Sequence, residues 1–250
     1  MSDVSIEAVE EHVALVCLRR PPNNFFDTEL LGAVADAYEA LAEGTSCRAI
    51  VLRSEGKHFC AGLDFAHNKE QDIAALYRNA LRIFAAPLPV VAAVQGAAIG
   101  GGLGLALSAD FRVATPGSRF SANFSRLGFH HGFGLTVTLP RVVGEQRAAD
   151  LLYSGRRVDG KEARALGLCD ELVDGDDPLP AATAYARTLA ASGPLAVRSI
   201  RATLRMGLVD RLRLAMYHEC AEQERLRHSS DIAEGLAASA ARREPRFSGT

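Results

Sequence analysis

Apolar positions along this chain alternate between short unbroken runs and runs at helical spacing. Val13–Leu18 is an apolar stretch closed by Arg19-Arg20-Pro21-Pro22, the pattern of a strand stopped at a turn. Asp27 is placed to cap a helix over Thr28–Glu43, in which Leu30, Leu31, Val34, Tyr38 and Leu41 share one face. Ala49–Leu52 predicts a buried strand, Glu55–Asp64 a loop with two glycines, Glu70–Phe84 a helix that ends before Pro87, and Pro89–Val94 another buried strand. A further helix is expected over Leu103–Ala109, then short strands at Phe111–Ala114 and Arg119–Ala122. From Glu145 onward the spacing is almost wholly helical, apart from a short strand at Leu172–Val173. Helices that connect buried apolar strands imply parallel pairing and an α/β fold. The helical tail is too short for a second full domain and is expected to pack on the core or on another subunit. The division expected is a core over 1–190 and a helical C-terminal region over 191–250.

Composition narrows the class. The chain has 250 residues, enough for one domain, and 48% of them are hydrophobic. The longest apolar feature, Ile83–Ala109, contains no Asp, Glu, Lys or Arg and has the length of a membrane span. Its contents argue otherwise. Pro87 and Pro89 open it, Gln95 lies inside it, and Gly96, Gly100, Gly101, Gly102 and Gly104 follow, a density that reads as strand, loop and helix. Acidic and basic residues number 30 and 28, so the charge balance offers no attraction to nucleic acid or to an anionic membrane. Met1–Glu11 is acidic and lacks the apolar core of a secretion signal. Cys17, Cys47, Cys60, Cys169 and Cys220 are scattered, without CxxC spacing, and read as reduced thiols of a cytoplasmic protein.

Several chemical motifs fail on spacing. The glycine run is not a dinucleotide fingerprint, because counting from Gly100 or Gly102 puts Leu105 or Leu107 where the third glycine belongs. There is no P-loop lysine, no GxSxG and no HExxH. His218 and Glu222 lie one helical turn apart, short of the three protein ligands of a catalytic zinc, and no metal is expected. Two glycine-bearing loops remain, Lys57–Asp64 and Gly96–Leu103, each following a buried strand. The second runs directly into a helix, so its free N–H groups face whatever lies beyond. Two such loops on neighbouring strands can aim two N–H donors at one carbonyl oxygen, which is an oxyanion hole.

The segments HFCAGLDF (His58–Phe65), AAVQGAAIGGGLGLALSADFRVAT (Ala92–Thr115) and LYSGRRVDGKEARALGL (Leu152–Leu168) resemble the enoyl-CoA hydratase/isomerase (crotonase) superfamily. The likeness runs from the early strand to the tail Asp231–Gly249. It implies a spiral of ββα units with a helical C-terminal trimerisation region, trimers or dimers of trimers, and coenzyme A thioester substrates. Coenzyme A would enter as part of the substrate, with no separate cofactor. The backbone N–H groups of Leu63 and Gly101 would bind the thioester oxygen. Ala61 and the segment Asn23–Phe26 would line the coenzyme A path, and Gly62 would be among the substrate-binding residues.

The departures from that family bear on the chemistry. Its hydratases carry one glutamate after the glycine run and another about twenty residues later; those positions here are Gly104 and Phe124. A third acidic position used by other members falls at Gly132. Hydration needs one group to activate water and another to deliver a proton, and Gly and Phe do neither. His130 and His131, in LGFHHGFG, are the expected replacements, since a neutral imidazole can take an α-proton or activate water. Histidine-assisted isomerisation, hydrolysis or decarboxylation is therefore expected ahead of hydration; the alternative is a non-catalytic acyl-CoA binding subunit. Phe124, Phe129 and Phe133 would make the acyl pocket aromatic, with Ser121, Asn123 and Ser125 as polar neighbours. Asp64 either positions water or caps the next helix, and His58 and Cys60 are expected to pack. His67 is a candidate at the coenzyme A entrance. The mixed-sign segment Glu219–Arg227 is either solvated helix surface or subunit interface.

Overall fold

The computed structural model describes residues 2–44, 46–64 and 72–250. The chain begins with an antiparallel pair, β1 (Val4–Glu10) and β2 (Val13–Leu18), followed by α1 (Thr28–Glu43), β3 (Ala49–Ser54), α2 (Ile73–Ala85) and β4 (Val90–Val94). Next come β5 (Ala97–Ile99), α3 (Gly101–Ser108), β6 (Phe111–Ala114), β7 (Arg119–Ser121), α4 (Leu135–Val143) and α5 (Glu145–Ser154). The remainder is β8 (Val158–Asp159), α6 (Gly160–Leu166), β9 (Glu171–Leu172), α7 (Leu179–Ala190), α8 (Pro194–Leu204), α9 (Leu208–Leu226) and α10 (Ser230–Ala240).

The main sheet has the order β1-β2-β3-β4-β6-β9, parallel throughout except for the β1–β2 hairpin. Alternate residues of its strands feed opposite faces. Val16, Leu18, Ile50 and Leu52 join the large core under α1–α3, whereas Val13, Leu15, Ala49 and Val51 meet Ala182, Ala186 and Ala190 of α7. Burial on both faces is why these strands read as continuous apolar runs.

The second sheet, β5-β7-β8, is extended by two single bridges, Cys60 to Ala98 and Phe26 to Leu63. A repeat follows: a strand in the main sheet, an extended segment in the small one, then a helix. It occurs as β2–Phe26–α1, β3–Cys60–α2, β4–β5–α3 and β6–β7–α4. This is the ββα spiral expected from the resemblance. The uncharged window Ile83–Ala109 is divided among the end of α2, β4, β5 and α3, and no helix of the described residues is long and apolar enough to cross a membrane.

Some boundaries differ from expectation. β1, β5 and β8 were not predicted, α3 starts at Gly101 rather than Leu103, and the late strand is Glu171–Leu172. Residues Glu70 and Gln71, placed at the start of a helix by spacing, lie outside the described residues. The C-terminal helices begin just past α7. Arg201 and Arg205 tie α8 to Asp110 at 2.8 and 2.9 Å. α9 buries Leu208, Leu212, Met216, Glu219 and Gln223 along one face, and α10 packs on the 3-10 turn Ser125–Leu127.

Candidate active site

The site is assembled where the small sheet delivers two chain segments to the N-terminus of α3. Cys60 donates to Ala97 O at 2.9 Å, and Ile99 donates to Cys60 O at 3.0 Å, so the two glycine-bearing loops are zipped side by side. Phe26 donates to Gly62 O at 3.0 Å and Ala61 to Asn23 O at 2.9 Å, which seats the 23–26 segment against the first loop. Asn24, fully buried, donates to Glu55 O and His58 O at 2.7 Å each. Close approach depends on glycine. A side chain on Gly62, whose φ is +91°, would stand 2.8 Å from Ile99 O, and one on Gly101 would collide with the Phe26 ring.

Among the described residues, the N–H groups of Leu63 and Gly101 have no intramolecular acceptor. Gly101 is the first residue of α3, where helix geometry leaves the N–H unbonded and the helix dipole is positive. Both residues line a cavity of about 730 Å³. Ala61, Gly62, Phe124, Phe129, Gly132 and Phe133 line it as well, as do Phe25 and Phe26. The two donor residues therefore belong to a largely apolar pocket with several aromatic side chains. Asp64, half-buried beside Leu63, is not part of that lining.

Each position at which the resemblance would put an acid is filled by another group. A Cβ on Gly104 would stand 2.7 Å from Phe133 Cβ and Cδ1, so the Phe133 ring takes that volume. Phe124 presents its ring to Gly100, Cζ lying 3.6 Å from a Cβ there. At Gly132 a Cβ would overlap Tyr77 Oη and lie 2.5 Å from Gln223 Nε2.

The two histidines do not line the cavity. Their rings stack at 4.3 Å, outside it. His130 Nδ1 donates to His131 O at 2.7 Å. His131 Nε2 lies 2.8 Å from Thr136 Oγ1, whose single proton goes to Glu219 Oε1 at 2.6 Å, so His131 is the donor in that contact. Burial, with His130 and His218 nearby, pushes the His131 imidazole down to about 4. The expectation that an imidazole faces the reacting carbon finds no geometric support, because adjacency in sequence says nothing about where a looped segment turns its rings. His58 accepts from Ala97 N at 3.1 Å and serves to pin β5. Cys60 is fully buried, which drives its thiol up to about 12 and leaves it inert. His67 lies outside the described residues.

Three side chains that the sequence reading missed hold the pocket wall. Glu219, on α9, is fully buried and accepts from Gly134 N at 2.8 Å, Thr136 N at 3.1 Å and Thr136 Oγ1. It caps the N-terminus of α4, where a negative group is favoured, while burial raises its carboxyl pKa. Tyr77, on α2, accepts from Phe133 N and donates to Gln223 Oε1, both at 3.2 Å. Phe133 has φ +60°, a strained conformation for a bulky residue, and that N–H bond helps hold it. Gln223 donates to His130 O at 3.1 Å. The segment Glu219–Arg227 is thus neither uniformly solvated nor free. The signal was available in the spacing, because Glu219 and Gln223 continue the row begun by Leu208, Leu212 and Met216.

A spiral fold with paired backbone donors at the head of an apolar cavity agrees with comparisons to known proteins. The family model described as enoyl-CoA hydratase/isomerase matches residues 8–250. The chain is 33% identical over 248 residues to a putative enoyl-CoA hydratase/isomerase, YngF, of Bacillus subtilis, covering 96% of this chain and 95% of that protein. It is 34% identical to a putative enoyl-CoA hydratase of Thermus thermophilus, covering 97% and 100%. Among solved structures, an enoyl-CoA hydratase/isomerase from Pseudoalteromonas atlantica superposes with a TM-score of 0.88 at 27% identity, covering 99% of this chain and 100% of that one. The chain belongs to the enoyl-CoA hydratase/isomerase family.

Proposed function

We propose that this protein transforms an acyl-CoA thioester by stabilising negative charge on the thioester oxygen, and that the reaction is not addition of water to a double bond. The observation that carries this is the pair of N–H groups, Leu63 and Gly101, that have no acceptor among the described residues and belong to the lining of the apolar cavity. Such donors act on the oxygen where charge develops and need no reorganisation at the moment of reaction. The cavity is of the size that takes a small acyl group, and Arg227, half-buried in its lining, supplies positive charge for the coenzyme A phosphates.

Hydration is disfavoured because, among the described residues, Gly104, Phe124 and Gly132 leave the lining without a carboxylate, and His130 and His131 are not part of it. Isomerisation, hydrolysis and decarboxylation of an acyl-CoA all pass through an enolate or tetrahedral oxyanion. Decarboxylation asks least of this site. The electron pair of the breaking C–C bond flows into the thioester carbonyl, carbon dioxide leaves, and the enolate takes a proton from water, so no base is required.

Assembly into a homotrimer, or a dimer of trimers, is part of the same proposal. It is supported by the apolar side chains that α8 and α9 leave exposed, among them Leu195, Leu204, Leu214 and Tyr217.

The test is a panel of saturated, 2-enoyl, 3-enoyl and 2-carboxyacyl-CoA thioesters followed by mass spectrometry. Turnover of one or more without rapid hydration of crotonyl-CoA is the expected result. Rapid hydration of crotonyl-CoA would refute the departure from hydratase chemistry, and tight binding without any turnover would leave only the binding subunit.

A further inference from the structure

Besides Asn123, Arg227 and Ser239, the apolar lining of the cavity carries one pair of polar side chains bonded to each other. Tyr77 and Gln223, from helices far apart in sequence, meet beside Gly132. Both line the cavity. Their hydrogen bonds can be counted. The Tyr77 hydroxyl spends its proton on Gln223 Oε1 and one lone pair on Phe133 N–H. Gln223 spends one amide hydrogen on His130 O, which also fixes which end of its amide faces Tyr77. Among the described residues this leaves one acceptor lone pair on Tyr77 Oη and one N–H on Gln223 Nε2 without a protein partner.

A donor and an acceptor side by side in an apolar wall match a group that can both give and take a hydrogen bond. An alcohol does both. A carbonyl or carboxylate oxygen uses only the N–H and meets the Tyr77 lone pair unfavourably. A methylene uses neither and leaves both desolvated. Gly132 makes the arrangement possible, because any side chain there would displace the two polar atoms. The pair and the proposed oxyanion donors, Leu63 and Gly101, line the same cavity.

We propose that Tyr77 and Gln223 form a hydroxyl-recognition subsite, so that the preferred substrate is an acyl-CoA whose acyl chain carries an alcohol. This rests on the acyl-CoA reading above.

The experiment measures the affinity of the full chain for butyryl-CoA, 3-hydroxybutyryl-CoA and 4-hydroxybutyryl-CoA by titration calorimetry. One of the two hydroxy thioesters is expected to bind about tenfold more tightly than butyryl-CoA, the net worth of one or two hydrogen bonds exchanged for those with water. Tyr77→Phe is expected to abolish that advantage, so that the hydroxy thioester and butyryl-CoA bind this variant alike. Gly132→Ala, which crowds the pair from the other side, is expected to do the same, and it stands in for Tyr77→Phe if thermal unfolding shows that variant to be misfolded. Equal wild-type affinity for the three thioesters overturns the subsite, as does an advantage that survives in a folded Tyr77→Phe or Gly132→Ala protein. If the folded wild type binds none of the three, the acyl-CoA reading itself falls and the subsite falls with it.

Discussion

Phe133 occupies the space that Gly104 leaves open: a Cβ on Gly104 would stand 2.7 Å from Phe133 Cβ and Cδ1 and 2.8 Å from Cγ. The two positions are therefore coupled. Overpacking a dense core costs about 1–3 kcal/mol, the destabilisation expected for Gly104→Ala. Phe133→Ala alone opens a cavity and is expected to cost about 3–5 kcal/mol. Together the two changes should cost less than their sum, by about 1 kcal/mol or more, because losing the ring removes the Cγ and Cδ1 contacts and leaves only the Cβ of residue 133, which can shift into the vacated space. Urea unfolding of the four proteins in this cycle measures the coupling. Strict additivity would mean that Phe133 does not fill the Gly104 site.

The proposed oxyanion donors make a kinetic prediction. Gly62→Ala forces a side chain toward Ile99 O at a φ of +91°, and Gly101→Ala drives one into the Phe26 ring. Either change displaces a donor N–H while leaving most of the cavity wall in place. Loss of one oxyanion donor lowers kcat by about 10²–10³-fold. That drop is expected in both variants for whichever thioester the wild type turns over, with the dissociation constant of free coenzyme A nearly unchanged. A kcat within threefold of wild type, in protein shown to be folded by its melting transition, would count against these two N–H groups.

How much of this was legible before the fold was known follows from what each feature depends on. β2, β3, β4 and β6 were visible because burial on both faces leaves continuous apolar runs. The α1 start was visible because Asp27 caps it, accepting from Leu30 N at 2.8 Å. β1 was not, since it is an edge strand carrying Glu7 and Glu10 on an exposed face, and β5 and β8 are so short that only their pairing defines them. The backbone half of the site was legible because it is written in glycines, Gly62 and Gly101 above all. The side-chain half was not. Tyr77 and Gln223 are 146 residues apart, and nothing local to either marks the contact. The adjacent histidines attracted notice for their chemistry, yet their orientation is set by Thr136 and by the His131 carbonyl.

The His131–Glu219 neighbourhood sets an acid-side dependence of stability. The folded His131 imidazole titrates at about 4, below its ordinary value near 6.5, with burial as the first cause. Between those values the unfolded chain binds a proton that the folded one refuses, so stability falls as pH drops from about 6.5 to about 4. Glu219 works in the opposite sense. Its pKa is raised, so the folded state takes up a proton more readily, and that contribution is lost as pH rises through the folded pKa. Thermal melts across this range should show the transition temperature falling with pH in the wild type. In His131→Gln, which keeps a donor toward Thr136, the fall should be shallower or reversed. An unchanged slope in that variant would assign the acid sensitivity to other groups.

The C-terminal helices make the prediction about assembly. α8 buries none of its residues, and Leu195 and Leu204 are 81% and 68% exposed. Met206 lies between α8 and α9, and Leu214 and Tyr217 project from α9 on the side opposite the Leu208–Leu212–Met216 seam that faces the core. Scattered exposed apolar residues are ordinary, but several on two consecutive helices mark an interaction surface. Arg201 and Arg205 hold α8 in place through Asp110, so the surface is presented by a fixed element. Light scattering of the wild type is therefore expected to give three or six times 26.7 kDa. Leu204→Asp combined with Tyr217→Asp places charge on this surface without touching the buried face of either helix, and should reduce the mass toward that of one chain. The lone chains should retain their circular dichroism, because the cores beneath the sheet are complete within a single copy. A wild type that elutes as one chain, or a double variant that keeps the wild-type mass, would remove α8 and α9 from the interface.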